Sequence, residues 1–128
     1  MTGRPLFEAA GFTGDALDAI LGVTYAESGG YADAVGDLAL MSDKWGPSVG
    51  LPQIRTLRDP TAWGPLDVWR DADKLRQVDY QAAAAYAISK NGTDFTPWSV
   101  YRSGSYLPHK GKDYVIRTGH ERAHLWDS

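Results

Sequence analysis

Two short segments hold side chains whose type and setting suit chemistry. In Ala26-Glu27-Ser28-Gly29-Gly30 a carboxyl group directly precedes a Ser and a Gly-Gly pair. A Gly pair stops a helix, so Glu27 is predicted at a helix C-terminal end. The macrodipole there is negative, and apolar neighbours penalise the charged form. Both effects favour the protonated acid, the form that donates a proton to a leaving-group oxygen. Taken alone, a Glu at a helix end is more often an ordinary surface residue. In Gly50-Leu51-Pro52-Gln53-Ile54 a Gln stands among apolar residues just after a Gly-containing turn. Its amide can bridge a carboxylate and a sugar N-acetyl or hydroxyl group. Its plain alternative is a polar residue ending a strand.

Such groups need a frame, and the composition bounds it. A chain of 128 residues favours one compact domain, here 1–128. The absence of Cys excludes disulfides, thiol chemistry and Cys-ligated zinc. A formal charge of −3 argues against nucleic acid as the main partner, and it offers no global attraction to an anionic surface. Binding to such a surface must therefore be local. Seven Tyr, five Trp and three Phe can fill a core or line a cleft. No run approaches the roughly 20 apolar residues of a membrane span. The opening MTGRPLFEAAGF has neither an apolar h-region nor a suitable cleavage site, so a signal peptide is not expected.

The periodicity predicts a short helix from Pro5 to Ala10. Thr13-Gly14 reads as a turn and cap before a second helix over Asp15–Ala26, with Leu17, Ile20, Leu21 and Thr24 on one face. Val35–Ile54 reads as a small irregular sheet of two or three strands. Leu38–Met41 and Ser48–Leu51 are its expected strands, and Ser42-Asp43-Lys44 their turn. Leu57–Asp67 is a connection containing Pro and Trp. Asp71–Ser89 is expected as one helix, stopped by Asn91-Gly92. Thr96-Pro97 should open a short helix through Tyr101, and Lys112–Leu125 a last one.

The order of these motifs resembles the lysozyme-like superfamily, especially soluble lytic transglycosylases, goose-type lysozymes and endolysins of phages infecting actinobacteria. The resemblance is carried by Glu27-Ser28, Gly50-Leu51-Pro52-Gln53-Ile54, the Ala-rich stretch from Gln81 to Ser89, and Trp98-Ser99-Val100-Tyr101. It spans roughly residues 6–106. It implies an α+β fold, mostly helical, with a small β-hairpin or three-stranded sheet beside the active-site cleft. It also implies a monomeric enzyme that cuts peptidoglycan glycan strands without cofactor, metal, nucleic acid or membrane insertion. Such an enzyme acts at the bacterial cell wall and, lacking a leader, would be released by another component such as a holin. Two positions depart from the pattern. Arg102 stands where Tyr-Asn-x-Gly has Asn, and Pro52 stands where a large apolar residue is usual.

The resemblance makes Glu27 the catalytic acid. Hydrolysing members add a carboxylate that positions water or stabilises the oxocarbenium ion, whereas transglycosylases manage with one Glu. Asp37 is the expected second carboxylate, with an Asx turn as its plain alternative. Asp33 and Asp43 read as loop and turn-tip residues. Ser48 could hold a water beside Asp37 or simply satisfy the Gly-Pro turn. Tyr101 could hydrogen-bond Glu27. Trp45 and Trp98 could stack on sugars, although packing is the commoner role of a Trp. Ser28, Ser48, Gln53, Trp98 and Tyr101 are thus the substrate-binding candidates. His109, His120 and His124 are not spaced as a tight metal set. A muramidase, a lytic transglycosylase and a non-catalytic wall-binding module are the readings to separate.

Overall fold

The computed structural model describes residues 1–58 and 64–119. Its elements are α1 (Gly3–Ala10), α2 (Gly14–Ser28), β1 (Val35–Gly36), β2 (Trp45–Val49), β3 (Ile54–Leu57), α3 (Val78–Ile88) and α4 (Ser99–Ser103). This is the expected α+β pattern, with one antiparallel sheet ordered β1-β2-β3 after the second helix.

The centre is α2. Leu17, Ile20 and Leu21 are buried as the spacing predicts, but so are Ala19, Gly22 and Val23 around the rest of the cylinder. A helix covered on all sides is a core element, not an amphipathic one. Phe7 of α1, Phe12, and Ala82 and Ala85 of α3 join it in the main apolar cluster. Phe12 meets Phe7 and Tyr86 edge to face, with ring centroids 5.8 and 5.1 Å apart. Gly29 ends α2 in the left-handed conformation, and its N–H returns to the Tyr25 carbonyl.

The sheet departs from expectation in register. Leu38–Leu40 form a short 3-10 turn rather than a strand, and Leu38 and Leu40 are 47% and 56% exposed. Both stay exposed to solvent among the described residues, so their apolar character does not select a strand. The expected turn is present one step later: Ser42 N–H bonds the Trp45 carbonyl and Ser42 Oγ accepts the Trp45 N–H. β2 then runs from Trp45, not from Ser48. Its ladder with β3 slips between Trp45 and Ser48, where Pro47 has no N–H to donate.

Three other expectations are corrected. The 71–89 segment is two pieces, because Asp71 accepts the N–H groups of Asp73 and Lys74, and Gln77 is extended before α3. The short late helix begins at Ser99, since Asp94 has already bound the Thr96 N–H and hydroxyl in a local turn. The stretch expected as a last helix is extended where described: Val115 bridges Thr2, and Arg117 bridges Tyr31. The remainder of that stretch, with His120 and His124, lies outside the described residues, as does 59–63 of the connection.

One buried amide joins the two halves. Gln81 of α3 is 0% exposed. Its Oε1 accepts the Leu51 N–H at 2.9 Å, and its Nε2 donates to the carbonyls of Ala32 and Leu75, each at 2.8 Å. Gly50 has φ +81°, and a Cβ there would lie 2.3 Å from the Gln81 Cδ. The turn after β2 is thus pressed against the amide. Gln81→Leu keeps the volume but strands one N–H and two carbonyls. Leaving buried polar groups unpaired costs about 1–3 kcal/mol each. Denaturant unfolding should show a loss of about 3 kcal/mol or more; a loss below about 1 kcal/mol would contradict this role.

Candidate active site

Glu27 lies in the last turn of α2, half-buried, on the wall of a cleft of about 400 Å³. Ile88, Pro97, Trp98 and Ser99 continue that helical wall, and Asp37, Ser48 and Gln53 belong to the sheet wall. The acid comes from a helix end, and the facing groups come from the strands and turns that Gln81 anchors.

Glu27 has its carboxyl pKa raised above the usual carboxylate value. Burial is the largest cause and the negative charge of Asp37 the second; the Val100 backbone N–H, bonding the carboxylate near the start of α4, opposes them. The acid is therefore held toward its protonated form by desolvation, as the helix-end position suggests.

Asp37 faces the same cleft. Its backbone is left-handed at φ 56°, a conformation Asp tolerates better than most residues. Its carboxylate accepts the hydroxyl of Ser48, which is 1% exposed on β2. Ser48 thus contacts Asp37 directly, and the Gly36–Ser48 pairing of β1 with β2 sets their register.

Gln53 lines the cleft, but both amide donors are committed. Nε2 bonds the carbonyls of Ala34 and Gly50 at 3.0 and 2.9 Å. A Cβ on Gly36 would lie 2.4 Å from its Oε1, so this amide braces the start of the sheet lobe. The donor half of the expected bridge to a carboxylate and a sugar is occupied.

Three other candidates lie differently from expectation. Tyr101 is not on the cleft wall and makes no hydrogen bond to Glu27. It stacks on Tyr106 at 4.8 Å and meets Phe95 at 5.6 Å. Ser28 bonds back to the Thr24 carbonyl at 2.7 Å, inside its own helix. Trp98 reaches the cleft but is 5% exposed, and its indole N–H is used on the Pro52 carbonyl at 2.7 Å. A ring that buried has almost no face to offer a sugar. The carbonyl it holds immediately precedes Gln53, which links the helical wall to the sheet wall.

Sequence reasoning missed Arg55, Arg70 and Arg102, which also line the cleft. Arg55 lies in β3, but Gln53 precedes that strand with a left-handed backbone, so no local pattern ties the two together. Arg102 is visible only as a departure from the family pattern. Nothing local distinguishes Arg70 from a surface Arg. Among the described residues no three His, Asp or Glu side chains gather as a metal set. His109 instead packs on Tyr25 at 4.7 Å.

A desolvated Glu27 and Asp37 thus face one cleft between the helical lobe and the small sheet. The comparisons identify the family. The family model described as "Lysozyme like domain" matches residues 4–100, and the chain belongs to this family. That makes its fold lysozyme-like and places it among peptidoglycan-acting glycosidases and lytic transglycosylases. No curated protein and no solved structure matches the chain.

The raised pKa has a stability consequence of definite sign. Below its unfolded value Glu27 is neutral in both states and carries no penalty. As pH rises through the higher folded value, ionisation is harder in the folded protein, and the penalty is complete above it. Glu27→Gln should therefore melt higher than wild type at neutral pH, with the gap closing below about pH 4. Asp37→Asn should lower the Glu27 pKa, read by carboxyl NMR, because a repelling charge is removed. A Glu27 pKa that rises in Asp37→Asn would contradict the shared-cleft electrostatics.

Proposed function

We propose that this chain is a muramidase of the phage-endolysin type, hydrolysing the β-1,4 bond between N-acetylmuramic acid and N-acetylglucosamine. The observation carrying this reading is the pairing in one cleft of a desolvated Glu27 with a hydroxyl-bound Asp37. Glu27 gives its proton to the glycosidic oxygen as the bond to the anomeric carbon breaks. Asp37 stabilises the positive charge developing there, or takes a proton from the attacking water, according to the sugar's pose. Ser48 orients the Asp37 carboxylate by donating to it. The water oxygen joins the anomeric carbon, its proton passing to Asp37 or back to the Glu27 carboxylate, and the departing sugar keeps the proton that Glu27 first gave.

The supporting facts are the family, the position of Glu27 at the end of the central helix, and the second carboxylate opposite. A lytic transglycosylase would cut the same bond without water and leave a 1,6-anhydro end. Asp37 favours hydrolysis because a water-free reaction has no need of it. The protein so described acts at the bacterial cell wall.

Digestion of purified peptidoglycan, followed by mass spectrometry, tests the reading. Hydrolysis gives reducing muropeptides heavier by one water than the anhydro forms. Glu27→Gln should lower the cleavage rate about 10²-fold or more, with the fold intact by circular dichroism. Asp37→Asn should also lower it strongly. Anhydro products, with activity nearly unchanged in Asp37→Asn, would assign the chain to the transglycosylases. Wall binding without turnover would make it a binding module.

A further inference from the structure

The chain is net negative, yet the cleft has a strongly positive region. Lys44 Nζ lies 5.3 Å from the Trp45 ring centroid, and the guanidinium carbons of Arg55 and Arg70 each lie 5.4 Å from it. Arg102 adds a further cation from α4 on the helical wall. Of these four cations only Arg70 has an acidic partner among the described residues, Asp67 at 3.3 Å. Arg55 donates to the carbonyls of Leu40 and Gly46, and Arg102 donates to the Thr96 carbonyl at 2.6 Å. Carbonyls orient a guanidinium without neutralising it. The face of an indole attracts cations but leaves their charges in place. Three cations around one ring, with one carboxylate among them, therefore present surplus positive charge beside the sheet wall. Guanidinium forks match carboxylates in bidentate geometry.

Resting on the peptidoglycan reading, we propose that Arg55 and Arg102, with Lys44 and Arg70 beside them, bind the free carboxylates of the substrate. The enzyme thus recognises a polyanionic glycan, not a neutral one. Those carboxylates belong to the stem peptides, or to the lactyl group where a peptide is missing. Trp45 then orders the cations rather than stacking on a sugar.

The test uses the full chain carrying Glu27→Gln, so that binding is read without turnover. Its dissociation constant is measured on native walls, on walls whose carboxyls are converted to methylamides, and on strands stripped of stem peptides by an amidase. Native walls should bind about tenfold more tightly than methylamide walls, a ratio that shrinks with salt. Adding Arg55→Gln and Arg102→Gln should bring that ratio near one, and the two Lys substitutions should restore part of it. Because Arg55 also ties two carbonyls, Arg102→Gln alone gives the same reading if the pair fails to fold. Stripped strands binding like native walls assign the ligand to the lactyl carboxylate; weaker binding assigns it to the stem peptide. A native-to-methylamide ratio near one before any Arg is changed would overturn the proposal, and so would equal losses on both substrates in the variants. If the ratio holds while the chain with Glu27 intact releases no glycan fragments, the catalytic reading fails and this one stands.

Discussion

The cleft exists because one buried amide ties three separate pieces of backbone. Gln81 holds the stretch after α2, the turn after β2 and the segment before α3 through Ala32, Leu51 and Leu75. A buried amide is costly unless fully paired, so the arrangement is nearly all-or-none. Gln53 repeats the device at the rim with Ala34 and Gly50. The two glutamines grip neighbouring carbonyls and the same turn from opposite sides. A small sheet with a two-residue first strand has little apolar area of its own, and these amides supply the definition that packing does not.

Against that frame, Glu27 is a local conflict that the fold sustains. Burial supplies the desolvation, and the sheet lobe supplies the opposing charge of Asp37. Each effect disfavours the ionised acid. The proton-donating state is thus a product of how the lobes are held together. The Trp98 indole, bonding the Pro52 carbonyl from the helical side, adds a direct polar tie across the same junction.

Charge is distributed unevenly for the same reason. The exposed surface is acidic on balance, while arginines from β3, from the 67–70 segment and from α4 converge on one cleft. No single element carries a basic stripe. The positive region arises only when the sheet curls its Trp45 edge toward the segment bearing Arg70.

The sequence by itself determined two helices followed by a small sheet, the buried central helix, its Gly stop, and the placing of Glu27 at that helix end. These depend on interactions within a few residues: periodicity, capping and the left-handed freedom of Gly29. It also indicated Asp37 and Ser48, which the structure joins by a hydrogen bond. Tertiary structure decided the rest. Leu38–Leu40 look like a strand, but they form a 3-10 turn whose leucines stay exposed. Tyr101 and Trp98 look like site residues until the aromatic cluster claims their rings. Gln53 looks free until Ala34 and Gly50 take its donors. Lys112–Gly119 loses its expected helix to bridges with Thr2 and Tyr31, residues over 80 positions away. The Pro52 carbonyl that takes the Trp98 indole, the Ala34 carbonyl that takes the Gln53 amide, and the Thr2 and Tyr31 bridges are all distant in the chain, and pairing energies between distant groups leave no trace in local pattern.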